Sequence, residues 1–478
     1  MNIDRREFVS RMAWSGAALA AAGCVGPGLG GLGGHGTMSG FRTKPMDLIR
    51  IGVIGVGGRG LDTCRRVTLF EGVEIAALCD IRPEATAGAR KMLRELGHGG
   101  AMRDYSGSLE SFKGLCDDPD VDVVYITVPQ KFHYEHVVYA LRAGKHAFTE
   151  VAGCDTIDQA WDIVETCEKT RRHCMMLENS CYGEPEMLAF TLCKEGMLGT
   201  LTHADCGYIH NLTWRQMEDS FRNRHHHRNL GTLAGDHYPT HGLGPTCQCF
   251  DVNRGDRLDC LMSMESLSAA YREYAAEIYP PDSWQNKIDY TKGDMTTTLL
   301  RTALGRTITM QYSLVSSRPY SRRMLVQGTR GMFAQFPRPW RMCFAKTPGD
   351  GVDGFLSPEQ VEKVRREHMH PLWRNLGEIA KSNGGHSGKD FLLDLRWIYC
   401  LKNGLPLDMD VYDLATWSSV GGLTTLSCLN RGRTMDIPDF TRGAWKTNPP
   451  LDIGHFDVDL GKSGLKRKAF DTRGVRRG

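Results

Sequence analysis

IRIGVIGVGGRG, residues 49–60, decides the fold of the N-terminal half. Its β-branched run leads into a G-x-G-x-x-G stretch with Gly55, Gly57 and Gly60 at the glycine positions. Alone, such a stretch is weak. Its context strengthens it: a strand pattern before, a helical pattern from Arg59 to Phe70 after, then a second strand, VEIAALCD, ending in Asp80. In a turn of this kind the first glycine permits the tight bend, the second lets backbone approach a pyrophosphate, and the third lets helix pack on strand. The helix N-terminus then faces the phosphates. Asp80 lies 20 residues beyond Gly60, where a carboxylate accepts from the adenosine ribose hydroxyls and repels a 2′-phosphate. The pattern predicts a dinucleotide site that prefers NAD to NADP.

The alternation continues outward with a helix from Pro83 to Leu96, a buried strand VDVVYIT (121–127), a helix from His133 to Ala143 and a strand KHAFTE ending at Glu150. A helix from Thr156 to Lys169 and a strand HCMMLEN (173–179) complete it. Strands alternating with helices of this length predict a Rossmann domain, a doubly wound parallel sheet with right-handed crossovers. Ligands of such sheets lie at the carboxyl ends of the strands. Residues 129–133, Glu150 and 178–182 are therefore expected around the reactive end of the cofactor.

Beyond Tyr182 the runs LTHADCGYI, LDCLMSMES, TTTLLRTALGRTITMQYSL and RRMLVQGT predict a mostly antiparallel sheet flanked by helices, with one face toward the cofactor. A late amphipathic pattern, FLLDLRWIYCLKNG (391–404), is expected to pack back on the first domain. The predicted organisation is a signal segment over 1–24, a Gly-rich linker over 25–47, an NAD-binding domain over 48–178, a substrate-binding α+β domain over 179–445 and a C-terminal tail over 446–478.

The N-terminus, MNIDRREFVSRMAWSGAALAAAGC, pairs Arg5 and Arg6 ahead of a mild Ala-rich run and resembles a twin-arginine export signal. This predicts a periplasmic or extracellular protein that meets the twin-arginine machinery, with cleavage near Ala22 and lipidation at Cys24 both open. That route carries folded proteins, so the cofactor is expected to be loaded beforehand and kept. A net charge of +3 on 59 basic and 56 acidic residues gives no electrostatic support to a nucleic-acid or membrane-surface role. No apolar run reaches the length of a membrane span. The 16 cysteines show no C-x-x-C pair and read mostly as small buried hydrophobes. His225, His226 and His227 lack the spacing that sets ligands on one face, so no metal site is predicted.

GVGGRG, AGKHAFTE, LENSCYG and above all HYPTHGLGP (237–245) resemble the glucose-fructose oxidoreductase (Gfo/Idh/MocA) type of NAD(P) protein. Within it, YPTHGLGP, RPYSR (318–322), GGHSGKD (384–390) and DFTRGAW (439–445) are similar to glycoside hydrolase family 109, the NAD-dependent α-N-acetylgalactosaminidases, over about residues 51–445. The resemblance implies cofactor contacts from Gly58, Arg59, Asp80, Gln130 to His133, Glu150, Val151 and Asn179. It implies catalytic groups at Tyr182, Tyr238 and His241. It implies a sugar held by Tyr208, by Tyr238, Pro239, Thr240 and His241, by Tyr320, and by an arginine for which Arg224 and Arg228 compete. Simple dehydrogenases of the type carry Glu-Lys-Pro after the AGKH strand, whereas this chain has Glu150-Val151-Ala152. The lysine acid/base is missing, which turns the reading toward the glycosidase branch.

NAD fits a hydrolase if a hydride leaves C3 of the sugar and later returns. The C3 ketone acidifies the C2 proton, the C1 substituent is eliminated, water adds and the ketone is reduced again. Such enzymes stand outside the two-carboxylate scheme. An imidazole titrating at about 6.5 suits the C3 hydroxyl, a role that falls to His241. A phenol, ordinarily about 10, needs neighbouring positive charge to act as base. Tyr182 is assigned to C2 with Tyr238 orienting or donating, and which tyrosine does which stays open. The resulting expectation is an exported glycosidase acting on terminal α-N-acetylgalactosamine or a related sugar. A periplasmic NAD-dependent sugar dehydrogenase and a non-catalytic sugar- or NAD-binding relative are the alternatives. A homo-oligomer through the C-terminal sheet is also left open.

Overall fold

Six short, largely apolar strands form one parallel sheet: β1 (Ile49–Ile54), β2 (Val73–Asp80), β3 (Arg103–Ser106), β4 (Val123–Ile126), β5 (His146–Thr149) and β6 (Cys174–Met176). Their order is β3-β2-β1-β4-β5-β6. The structure, a computed structural model, describes residues 36–219, 231–347, 352–451 and 453. Because β1 pairs with β2 on one side and β4 on the other, the strand order reverses there and a crevice opens at the carboxyl ends of β1 and β4. β4 and β5 are buried at every position, as strands covered on both faces must be. The sequence reading passes over β3, because RDYS is a polar, partly exposed edge strand without an apolar run.

The second sheet has eight strands: β7 (Leu201–Ile209), β8 (Leu258–Glu265), β9 (Thr296–Thr302), β10 (Thr307–Ser313), β11 (Leu325–Gly328), β12 (Gly331–Ala334), β13 (Arg341–Phe344) and β14 (Met435–Asp436). They run in the order β13-β12-β11-β7-β10-β9-β8-β14. The pairs are antiparallel except β7 with β10, which run parallel and set Tyr208 opposite Tyr312. Helix Thr240–Cys249 lies on this sheet at an unusually close approach. A Cβ on Gly242 would stand 2.3 Å from the Gly207 nitrogen, and one on Gly207 would stand 2.2 Å from the Gln311 carbonyl oxygen. Two facing glycines thus bring the start of the helix, with Tyr238 and His241, down onto β7.

The parallel sheet is completed from far along the chain. Helix Lys389–Asn403 sets Trp397 against Phe148 of β5 and Tyr125 of β4, at ring separations of 5.0 and 6.3 Å, and Phe391 against Phe70 at 5.6 Å. It packs back on the first domain as expected, but it is buried almost all round instead of amphipathic. Its polar residues survive inside because they are paired: Asp394 accepts from Arg66 Nε at 2.9 Å, and Arg396 donates to Asp408. The 48–178 and 179–445 blocks therefore share one continuous core, running from Met38 to Ile453.

Part of the expected linker is ordered. The Met38 N–H donates to the Tyr412 hydroxyl at 3.0 Å and Phe41 packs on His173, because Met38 and Phe41 are apolar and have a groove to fill. Eleven of the fifteen described cysteines are buried, in keeping with their reading as small hydrophobes. No helix among the described residues is long and apolar enough to cross a membrane. The export signal with Cys24, the 25–35 part of the linker, Arg224, His225 to His227, Arg228 and residues 454–478 lie outside the described residues.

Candidate active site

A cleft of about 1970 Å³ runs from the glycine turn of the parallel sheet to the face of β7 and β10. At its first end, Gly55 holds φ +87° against the backbone of Thr127, and a Cβ on Gly60 would stand 2.0 Å from the Gly55 carbonyl oxygen. Gly58, by contrast, has open space where a side chain would be. The turn is packed shut behind and open in front, with helix Gly58–Val67 starting at the opening. Asp80, at the end of β2, lines the same end, and its Oδ1 accepts from the Arg82 backbone and side chain.

Deeper in, the Arg59 side chain is committed to protein carboxylates. Its Nε donates to Glu150 at 2.6 Å and its terminal nitrogens to Asp390. Burial pushes Glu150 up against the pull of Arg59, whereas Asp390 overcomes its burial through Arg59, His386 and Arg66 and lies well below the usual carboxylate range. Asn179 Nδ2 donates to Asp390 at 2.6 Å, and Asn179 Oδ1 is buried with no partner in the structure. That orphaned acceptor, the open glycine turn and the carboxylate of Asp80 at the end of β2 suit a dinucleotide. Gln130 and Val151 also line the cleft, and Gln130 is steadied by Asp155. His133 reaches it only at its edge, because both ring nitrogens lie against the carbonyls of Ala152 and Val128.

At the other end, Tyr208, Tyr238, His241 and Tyr320 cluster. Ring centroids lie 5.0 Å apart for Tyr208 and Tyr238, 4.7 Å for Tyr238 and His241, and 5.9 Å for Tyr208 and Tyr320. His241 Nδ1 lies 2.7 Å from Glu178 Oε1. Burial would raise the Glu178 carboxyl, but His241 and the Ser180 N–H bring it down to about 2. Burial lowers His241 despite Glu178, so its neutral form prevails at neutral pH. With Nδ1–H donating to the Glu178 carboxylate, Nε2 keeps the lone pair of a base. Beside this pair the Tyr208 hydroxyl bonds Nδ1 of His210, and burial lowers the His210 pKa.

Among the described residues expected to act on or hold the sugar, two do not open on the cleft. Tyr182 is fully buried, donates to Asp408 Oδ2 at 2.9 Å and is held well above its usual range by burial and that carboxylate. The short turn Asn179–Tyr182 turns its ring toward helix Lys389–Asn403. Thr240 is likewise buried, beneath Tyr238 and Pro239, which do line the cleft.

Glu178, buried behind His241, and His386 and Lys389, which line the cleft, were not foreseen as site residues. Glu178 was placed near the cofactor but given no role, and its signal was a carboxylate closing the β6 strand. His386 stands in the GGHSG loop at φ +47°, 62 % exposed in its side chain, with Nδ1 2.8 Å from Asp390. Lys389 follows it, and burial together with Arg322 lowers its ammonium to about 8. A lysine was sought after β5, but this one arrives from a helix 239 residues beyond Glu150. GGHSGKD carried the signal as a motif without a chemical assignment.

Comparison with known proteins divides the chain into two family regions. Residues 49–178 fit the oxidoreductase family model with an NAD-binding Rossmann fold, and residues 182–447 fit the glycosyl hydrolase 109 C-terminal domain. The chain is 41 % identical to a glycosyl hydrolase family 109 protein of Shewanella amazonensis, over 94 % of this chain and 99 % of that one. It is 39 % identical to an alpha-N-acetylgalactosaminidase of Shewanella oneidensis, over 87 % and 90 %. Levoglucosan dehydrogenase in complex with NADH shares the fold at a TM-score of 0.60 and 17 % identity, covering 82 % of this chain and 99 % of that one. An inositol dehydrogenase homolog of Azotobacter vinelandii with NAD+ does so at 0.59 and 17 %, covering 82 % and 98 %. The chain is therefore an NAD-dependent glycoside hydrolase and a member of glycosyl hydrolase family 109.

Proposed function

We propose that the protein removes terminal α-linked N-acetylgalactosamine, or a closely related sugar, without net oxidation. The observation that carries this reading is the His241–Glu178 pair at 2.7 Å, opening on the same cleft as the glycine turn. When bound, NAD supplies a reversible two-electron acceptor for a hydride of the sugar. His241 Nε2 takes the proton of the C3 hydroxyl, and the Tyr238 hydroxyl, kept protonated by burial, donates to the same oxygen. Burial keeps the Tyr208 hydroxyl protonated, so the C2 proton passes to the Tyr208 oxygen as that hydroxyl hands its own proton to Nδ1 of His210, in place of the buried Tyr182. His386, at the cleft mouth, protonates the departing C1 oxygen, and water adds as the steps run back. Gly55, Gly57 and Gly58 hold the pyrophosphate while Gly60 lets the helix pack behind them, Asp80 holds the ribose, and Asn179 Oδ1 a donor at the reactive end.

The paired Arg5 and Arg6 support export with the cofactor already in place. Association through the second sheet is supported by its outer face, where Met262 of β8 pairs with Leu299 of β9 and both are exposed, at 40 % and 51 %. Nitrophenyl α-N-acetylgalactosaminide mixed with protein carrying only its own cofactor tests the activity. Steady release of nitrophenol at constant nicotinamide absorbance is expected. Reduced cofactor that accumulates until an external acceptor is added overturns the reading in favour of a sugar dehydrogenase.

A further inference from the structure

Six lysine and arginine side chains among the described residues are buried, and five of them have carboxylate partners. Arg66 pairs with Asp394, Arg254 with Asp410 and Asp413, Lys292 with Glu265, Arg322 with Glu186, and Arg396 with Asp408. Lys389 is the exception. It is 8 % exposed, it lines the cleft, and its ammonium makes no hydrogen bond or ion pair with any described residue. The carboxylates within electrostatic range are already engaged: Glu178 by His241, Glu186 by Arg322 and Asp390 by Arg59. Glu186 keeps one buried oxygen without a hydrogen bond, and Lys389 does not reach it. A buried charge is costly unless something neutralises it, so an unpartnered ammonium facing a cleft marks the place of an anion supplied from outside.

The place also says which anion. Lys389 lies within electrostatic range of His241, Glu178, Glu186 and Arg322, on the side of the cleft where the aromatic cluster stands, and of Asp390, which Arg59 already holds. Arg322 donates to the Tyr320 hydroxyl, which ties the ammonium to the aromatic cluster that faces the sugar. We propose that Lys389 forms an anion subsite of the active cleft, so that the preferred substrate is a hexose or hexosamine unit bearing a negatively charged substituent, a carboxylate or a sulfate ester. Arg338 and Lys381 line the same cleft. The proposal deepens the glycosidase reading and rests on it for the identity of the ligand as a sugar.

Binding, measured apart from turnover, tests it. Trp340 and Trp373 line the cleft, so tryptophan fluorescence of the NAD-loaded protein reports occupancy by galacturonate, galactose 6-sulfate, neutral galactose and inorganic sulfate. The expected result is at least about tenfold tighter binding of one charged sugar than of galactose. Which of the two binds tighter separates carboxylate from sulfate. In Lys389→Met the charged-to-neutral preference is expected to fall to about one, and in Lys389→Arg to recover in part. Equal binding of charged and neutral sugars by the wild type overturns the subsite, as does a preference that survives Lys389→Met. Inorganic sulfate binding as tightly as the charged sugar overturns the assignment to a sugar substituent. Should Lys389→Met fail to fold, the wild-type preference decides alone. A charged-sugar preference without cleavage of any glycoside sinks the glycosidase reading and leaves the subsite standing, and cleavage without preference does the reverse.

Discussion

Glu178 and His241 meet at 2.7 Å although one closes a strand of the parallel sheet and the other opens a helix laid on the second sheet. The pair joins the two halves of the molecule at the point where the sugar is expected. His241→Ala should lower kcat by about 10² to 10⁴, the usual range for a positioned acid or base. NAD released from the denatured variant should match wild type, because His241 does not touch the glycine turn. Undiminished turnover in that variant would remove His241 from the mechanism.

The pH profile follows from the same pair. Burial lowers the His241 pKa below its ordinary value, and the base is competent only when neutral. Activity should therefore be present at neutral pH and fall as pH drops through the lowered pKa, with the acidic limb below about 6.5. Glu178 favours the imidazolium, so Glu178→Gln should move this limb to still lower pH while reducing kcat. A kcat profile whose limb stays in place in Glu178→Gln would show that the limb belongs to another group.

Two tyrosines can be told apart by exchange at C2. Ordinary displacement at the anomeric carbon never breaks the C2–H bond, whereas elimination must, so hydrolysis in deuterated water should leave deuterium at C2 of the product. Tyr208→Phe should suppress that exchange. Tyr182→Phe should instead lower stability by about 1 to 3 kcal/mol, since it leaves buried Asp408 short of one donor, and exchange should persist. The reverse pattern would restore Tyr182 as the base. Rapid cleavage of a glycoside lacking the C3 hydroxyl would rule out the oxidation route altogether.

Gly242 tests how the helix is seated. A methyl group there would press on the Gly207 nitrogen at 2.3 Å, where only backbone can give way. Gly242→Ala should cost about 1 to 3 kcal/mol by overpacking and lower kcat by displacing His241. Thermal unfolding and turnover measured together check it, and wild-type values for both would show that the helix can lift without loss.

Asp80 and the paired arginines carry the last expectations. Asp80→Ala should lower NAD occupancy and weaken discrimination against NADP, read by identifying the nucleotide released on denaturation. NADP recovered from the wild type would overturn the ribose argument. Arg5→Lys with Arg6→Lys should strand active protein in the cytoplasm, and unchanged export would exclude the twin-arginine route.

The amino-acid sequence determined by itself what depends on local periodicity and motif chemistry. Gly55, Gly57, Gly60 and Asp80 specify a dinucleotide turn because each answers a steric or charge requirement within one strand–turn–helix. The long apolar runs gave away β1, β2, β4 and β5, and HYPTHGLGP marked the sugar end. Tertiary structure alone decided which side chains meet. Tyr182 and Glu178 stand four residues apart on one turn, yet one faces Asp408 in the core and the other faces His241, a choice made by packing. Lys389 and Asp390 are neighbours in sequence, yet Asp390 is bound by Arg59 while the Lys389 ammonium faces the cleft. Such pairings join residues dozens to hundreds of positions apart, and no local pattern encodes a contact whose two halves are brought together only when the core closes.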